Sequence, residues 1–125
     1  MSNLKDICID CDDPWTLGHW WAETLLYRVR AHTQDDVAKL RAQGIERVEE
    51  DVSIAVDPVD EPGPGFWFLK VPEGKTAKNR VHIDVFGDVA DLTRRGASVI
   101  AELEEWTVMH DPEGNEFCVF PFDSR

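Results

Sequence analysis

The feature that most limits what this chain can fold into is a faint internal repeat. Ile9-Asp10-Cys11 is followed at once by a helix that Asp13 can cap, and Ile83-Asp84-Val85 is followed by a helix that Asp88 opens. Each half then runs through further strands into a glycine- and aromatic-rich hairpin, around Gly65 in the first and Gly114 in the second. A repeat at about half the chain length predicts two copies of one supersecondary unit. The competing arrangement of the same elements is a ferredoxin-like βαββαβ sandwich, and both stay open because segment 45–57 could hold one strand or two.

Local patterning fills in the units. Residues 4–11 alternate as a strand, with Ile7, Ile9 and Cys11 on one face and Cys8 on the other. Asp13-Pro14 supplies a capping acceptor and a proline at the first helical position. Leu17, Trp21, Leu25 and Val29 recur every four residues, with Ala22 and Leu26 widening the stripe, so the helix is predicted to reach about Val29. A shorter, peripheral helix opens at Thr33 with acids in its first turn, uses Val37 and Leu40, and stops at Gly44. Strands are predicted over 50–57, 66–71 and 81–86, with a proline-rich loop at 57–65. A short helix over 88–95 stops at Gly96. A hairpin of 104–109 and 116–121 turns at Asp111-Pro112-Glu113-Gly114.

Composition narrows the partners. At 125 residues the chain is one domain's worth, with 42% hydrophobic and 30% charged residues, too apolar for disorder. A net charge of −12 repels nucleic acid and anionic membrane, and Lys75, Lys78 and Arg80 are too few to make a phosphate-tracking stripe. The expected partner is therefore a small molecule. No apolar run is long enough for a membrane span and none resembles a secretory leader, which predicts a cytoplasmic protein. Three cysteines do not make a disulfide framework. Cys8 and Cys11 form a C-x-x-C, but on a strand they point to opposite sides, which favours two separate thiols over a zinc or redox pair.

Three segments carry a family resemblance: Asp-Pro-x-x-Leu-x-x-Trp-Trp-Ala-x-x-Leu (13–25), Lys-x-x-Lys-Asn-Arg-Val-His-Ile-Asp (75–84) and Trp-Thr-Val-Met-x-Asp-Pro-Glu-Gly-Asn-Glu-Phe-Cys-Val (106–119). They resemble the glyoxalase-like branch of the glyoxalase/bleomycin resistance/dioxygenase (vicinal oxygen chelate) superfamily. The resemblance implies an α+β fold of paired βαβββ modules, about 1–72 and 78–125, forming one domain over 1–125. The modules would make a curved mixed/antiparallel sheet, a half-barrel around a cavity. It also implies a homodimer. Enzymes of the superfamily, among them lyases, isomerases and dioxygenases, hold one divalent metal ion (Zn, Ni, Mn or Fe) on the first and last strands of each module, whereas other members sequester a drug without metal. Two departures stand out: the extra helix near 33–44 and the short second-module helix.

Carried over residue by residue, His82 matches the first-strand ligand and Glu116 the last-strand ligand, as metal ligands and catalytic groups. The pseudo-symmetry mates are Cys8, opposite His82, and Trp67, opposite Glu116. Tryptophan cannot ligate a metal, so the set reduces to His82, Glu116 and Cys8, and the cofactor is either none or one divalent ion. A structural account stands beside each: His82 as an interior histidine, Glu116 as an acceptor for backbone amides or Arg80. Trp67, Trp106, Phe68 and Phe120 fall on strands and are the candidate ligand-binding rings, as cavity lining or as core and dimer interface. Arg80, with Lys75 and Lys78, could receive an anionic group or pair with an acidic neighbour. Two functions follow: a small-molecule-binding protein with an aromatic-lined cavity, or a metal-dependent lyase, isomerase or dioxygenase using His82 and Glu116.

Overall fold

The cleanest alternation gives the first strand. β1 (Asp6–Cys11) buries Cys11 and leaves Cys8 exposed, so the two thiols of the C-x-x-C do face opposite ways. The computed structural model describes residues 1–122, and the last three residues of the second expected module lie outside them. The chain divides into two compact units, Met1–Gly74 and Lys75–Arg125.

In the first unit, α1 (Pro14–Leu25) starts as expected, with the Asp13 carboxylate accepting the Thr16 amide at 3.2 Å. It stops four residues early. Leu26 takes a left-handed conformation (φ 57°) and its amide closes on the Ala22 carbonyl. Tyr27–Val29 then forms β2 rather than a last helical turn. The four-residue recurrence could not see this, because the β-prone Tyr27 and Val29 complete a sheet edge that exists only in the folded unit. Leu17 and Trp21 are fully buried, but Leu26 is 82% exposed and widens no stripe. Gly18 lets α1 lie flat on the sheet: a Cβ there would meet Ile54 Cγ2 at 3.1 Å and Phe68 Cδ2 at 3.4 Å.

The sheet is completed by β3 (Ser53–Pro58) and β4 (Gly65–Lys70), in the order β1-β4-β3-β2 with only β1 and β4 parallel. Segment 45–57 thus holds one strand, preceded by a single 3-10 turn at Val48–Glu50. The remaining strand is β2. Between β2 and β3 lies α2 (Gln34–Ala42), the added helix, fastened by a reciprocal cap in which Thr33 and Asp36 each accept the other's amide.

The second unit repeats the plan. β5 (Ile83–Phe86) leads to α3 (Val89–Arg94), whose Asp88 cap accepts the Ala90 amide at 2.9 Å. Then come β6 (Ser98–Glu102), β7 (Thr107–His110) and β8 (Glu116–Phe120), in the order β5-β8-β7-β6. β6 escapes a two-residue pattern because a register shift between Val99 and Ala101 breaks its alternation. At the β7–β8 turn the buried Asp111 carboxylate accepts the amides of Glu113 (2.9 Å) and Asn115 (3.0 Å), and Gly114 supplies φ 88°. Each unit is βαβββ with the same strand order, so the fold is paired α+β modules and not the βαββαβ sandwich. Among the described residues no helix is long and apolar enough to cross a membrane.

Candidate functional site

Strand register sorts the side chains of the second sheet. Parallel pairing sets Ile83 against Phe117 and Val85 against Val119. Val85 and Val119 meet the side of the sheet where Leu92 of α3 packs, around Gly87. By alternation His82, Asp84 and Phe86, with Glu116, Cys118 and Phe120, share the opposite face. This face gathers most of the chemistry.

Glu116 is 12% exposed in its side chain and is already engaged. Its Oε2 accepts the Asn79 amide at 3.0 Å and faces Lys75 Nζ at 3.1 Å, while Oε1 lies 3.9 Å from His110 Nε2. Burial pushes this carboxyl up, but the Asn79 amide, its own amide and the Lys75 ammonium outweigh burial and bring it down to about 2. The structural account of Glu116 thus has its donors, Asn79 and Lys75 in place of Arg80. Arg80 itself is exposed. For Lys75 the ion-pair reading describes the geometry.

His82 is half-exposed rather than interior, with Nδ1 3.1 Å from Asp84 Oδ1. Beside them Cys118 is buried opposite Asp84 on the neighbouring strand, and burial with the Asp84 carboxylate pushes its thiol up. Ligand atoms of His82, Asp84 and Cys118 all lie within 4.8 Å of one another, a grouping that does not include Glu116. Sequence reasoning passed over Asp84 and Cys118. The signal was available: both sit two residues along from the singled-out His82 and Glu116, hence on the same face of adjacent strands.

In the first unit Ile9 pairs with Phe68 as Ile83 pairs with Phe117, so Cys8 beside Trp67 corresponds to His82 beside Glu116. The Trp67 indole donates to Asp6 Oδ2 at 3.2 Å, and the Arg30 guanidinium lies 5.3 Å from its ring centre while bonding Asp57 through two 2.8 Å contacts. With Arg30, His32, Lys39 and Asp51, Trp67 lines a hollow of about 290 Å³ whose outer wall is α2. His32 is 13% exposed in its side chain and pairs with Asp51 at 2.8 Å. Phe68 is fully buried between sheet and α1, so it is a core residue with no surface for a ligand. In the second unit Trp106 stacks on Phe120, with ring centres 5.8 Å apart and planes inclined 24°. Trp106 also lines a hollow of about 590 Å³ with the apolar Leu103, Val119 and Phe122 and the acidic Asp88, Glu104 and Glu105.

Tested against the superfamily's metal, the donors do not fit. The carboxylate that should ligate is neutralised by an ammonium, so an ion would have to displace Lys75. The position matching that carboxylate in the first unit is an indole, which offers no lone pair.

Three solved structures place the fold. A hypothetical protein SA1046 from S. aureus matches with a TM-score of 0.63 at 10% identity, over 97% of this chain and 95% of that one. TnmS3, an antibiotic binding protein from Streptomyces sp. CB03234, matches with a TM-score of 0.60 at 16% identity, over 97% and 96%. A glyoxalase/bleomycin resistance protein/dioxygenase family enzyme from Burkholderia phytofirmans PsJN matches with a TM-score of 0.59 at 13% identity, over 94% and 97%. At these identities the likeness is one of fold. Among curated proteins none matches the chain. The family of glyoxalase-like domains matches residues 6–120, nearly the whole length. With that match and the paired βαβββ modules, the chain belongs to the family of glyoxalase-like domains.

Proposed function

We propose that this protein binds a small, flat, largely apolar molecule without using a metal at His82 and Glu116. The observation that carries the reading is the Lys75–Glu116 pair at 3.1 Å, because it occupies the carboxylate on which the superfamily's metal chemistry would depend. The stacked Trp106–Phe120 pair supports the ligand class. A planar ring can lie against an indole face already held by its neighbour, and a hollow of about 590 Å³ suits a molecule of drug size. The antibiotic binding protein among the structural neighbours is a fold-level precedent for such a role.

Fluorescence titration with anthraquinone-2-sulfonate, a planar probe that quenches tryptophan, tests this. The expected result is saturable binding, equal with and without EDTA, and weakened about tenfold by Trp106→Ala, which corresponds to ~1.4 kcal/mol. Binding abolished by EDTA, or untouched by Trp106→Ala, would refute the reading.

A further inference from the structure

The face that carries Glu116 holds a second, unassigned grouping one step further along both strands. His82 lies just before β5, Asp84 is on β5 and Cys118 is on the adjacent β8, and their ligand atoms fall within 4.8 Å of one another. We infer that His82, Asp84 and Cys118 form a binding site for a thiophilic divalent cation of the Zn²⁺ type, distinct from the His82–Glu116 position of the superfamily.

The chemistry is specific. A thiolate and an imidazole select a borderline ion over Mg²⁺ or Ca²⁺, and a carboxylate completes a neutral set: two anionic donors against a charge of two. The 3.1 Å between His82 Nδ1 and Asp84 Oδ1 is already close to the ~3.4 Å that separates ligand atoms around tetrahedral zinc. Cys118 is 7% exposed and anchored on a central strand, whereas His82 and Asp84 have side chains 43% and 54% exposed and can turn toward it. One rigid sulfur and two adjustable donors can close on an ion with little change in the backbone. On binding, the Cys118 S–H bond gives way to a sulfur–metal bond and its proton leaves to solvent. His82 binds through Nδ1 in the tautomer that carries its proton on Nε2. Burial and the Asp84 carboxylate push the Cys118 thiol up, and Lys78 offsets this only in part, so it is the bound cation that must stabilise the thiolate. Three protein donors leave the fourth tetrahedral position open to water.

The site shares His82 with the set considered above but takes Asp84 and Cys118 in place of Glu116 and Cys8, and it is tested separately. Metal-free protein is titrated with Co²⁺ and read in the near ultraviolet, where a cobalt–thiolate bond gives a charge-transfer band. The expected result is one equivalent bound with that band. The band should be absent in Cys118→Ser, binding about tenfold or more weaker in Asp84→Asn and His82→Ala, and Glu116→Gln indistinguishable from the parent. Circular dichroism reports whether the Cys118→Ser variant folds, and the exposed Asp84 provides the test if it does not. Co²⁺ bound without the band, or equally by the parent and the Asp84→Asn variant, overturns the inference. Binding lost in Glu116→Gln but retained in Cys118→Ser would overturn this site and the metal-free reading together.

Discussion

Lys75 and Glu116 illustrate how one residue redirects a familiar site. A glutamate at the end of a glyoxalase-like module reads as a metal ligand until its partner is seen, and that partner comes from the loop before β5. The pair is also a stability element. Glu116 has its pKa lowered from 4.5 to about 2, so its stabilising effect is complete above pH 4.5 and fades as pH falls toward 2. Replacing Lys75 with Met leaves a largely buried carboxylate without its cation, and should cost about 1–3 kcal/mol at pH 7. Urea unfolding should show the parent and Lys75→Met converging near pH 2; a gap that stays constant with pH would mean that Lys75 acts by packing alone. Phe68 gives a contrasting case. Its full burial under α1 predicts that Phe68→Ala costs about 3–5 kcal/mol by the same assay, with no effect on anthraquinone binding once the protein is folded. At this scale the sequence supplied the residue types, and the strand period supplied their faces. It could not supply the donors from a loop, because Lys75 and Asn79 approach Glu116 across 41 and 37 residues of chain with no periodicity to announce it.

The end of α1 turns on Leu26. A non-glycine residue at φ 57° carries backbone strain, and with its side chain 82% exposed Leu26 recovers little by burial. Leu26→Gly should therefore stabilise the protein by about 0.5–1 kcal/mol, whereas Leu26→Ala should not, as thermal unfolding would show. Gly18 behaves in the opposite sense. Alanine is the better helix former, but its methyl group would press on Ile54, itself fully buried, so Gly18→Ala should destabilise by about 1–3 kcal/mol. Helix starts were legible because Asp13, Thr33 and Asp88 announce themselves chemically. The stop at Leu26 was not, since leucine is no signal for a left-handed cap. β6 was hidden for a related reason: its bulge removes the very alternation by which strands are read.

Over the whole molecule, the repeat seen in Ile9-Asp10-Cys11 and Ile83-Asp84-Val85 is realised as two units with one strand order, departing only where α2 is inserted. What distinguishes this chain from the superfamily's enzymes is therefore not architecture but the content of matching positions: Cys8 and Trp67 in one unit, His82 and Glu116 in the other, the last already paired. The resemblance implies a homodimer, and we propose that the exposed Val99 and Ile100 on the edge strand β6 contribute to its contact. Sedimentation equilibrium should return twice the 14.2 kDa chain mass. Whether the Glu116 carboxylate belongs to an ion pair and is not available to a metal can be read from its ¹³C carboxyl resonance as a function of pH. With Lys75 and the Asn79 amide on the carboxylate, the expected midpoint is about 2. A midpoint at the ordinary glutamate value of 4.5 would contradict it.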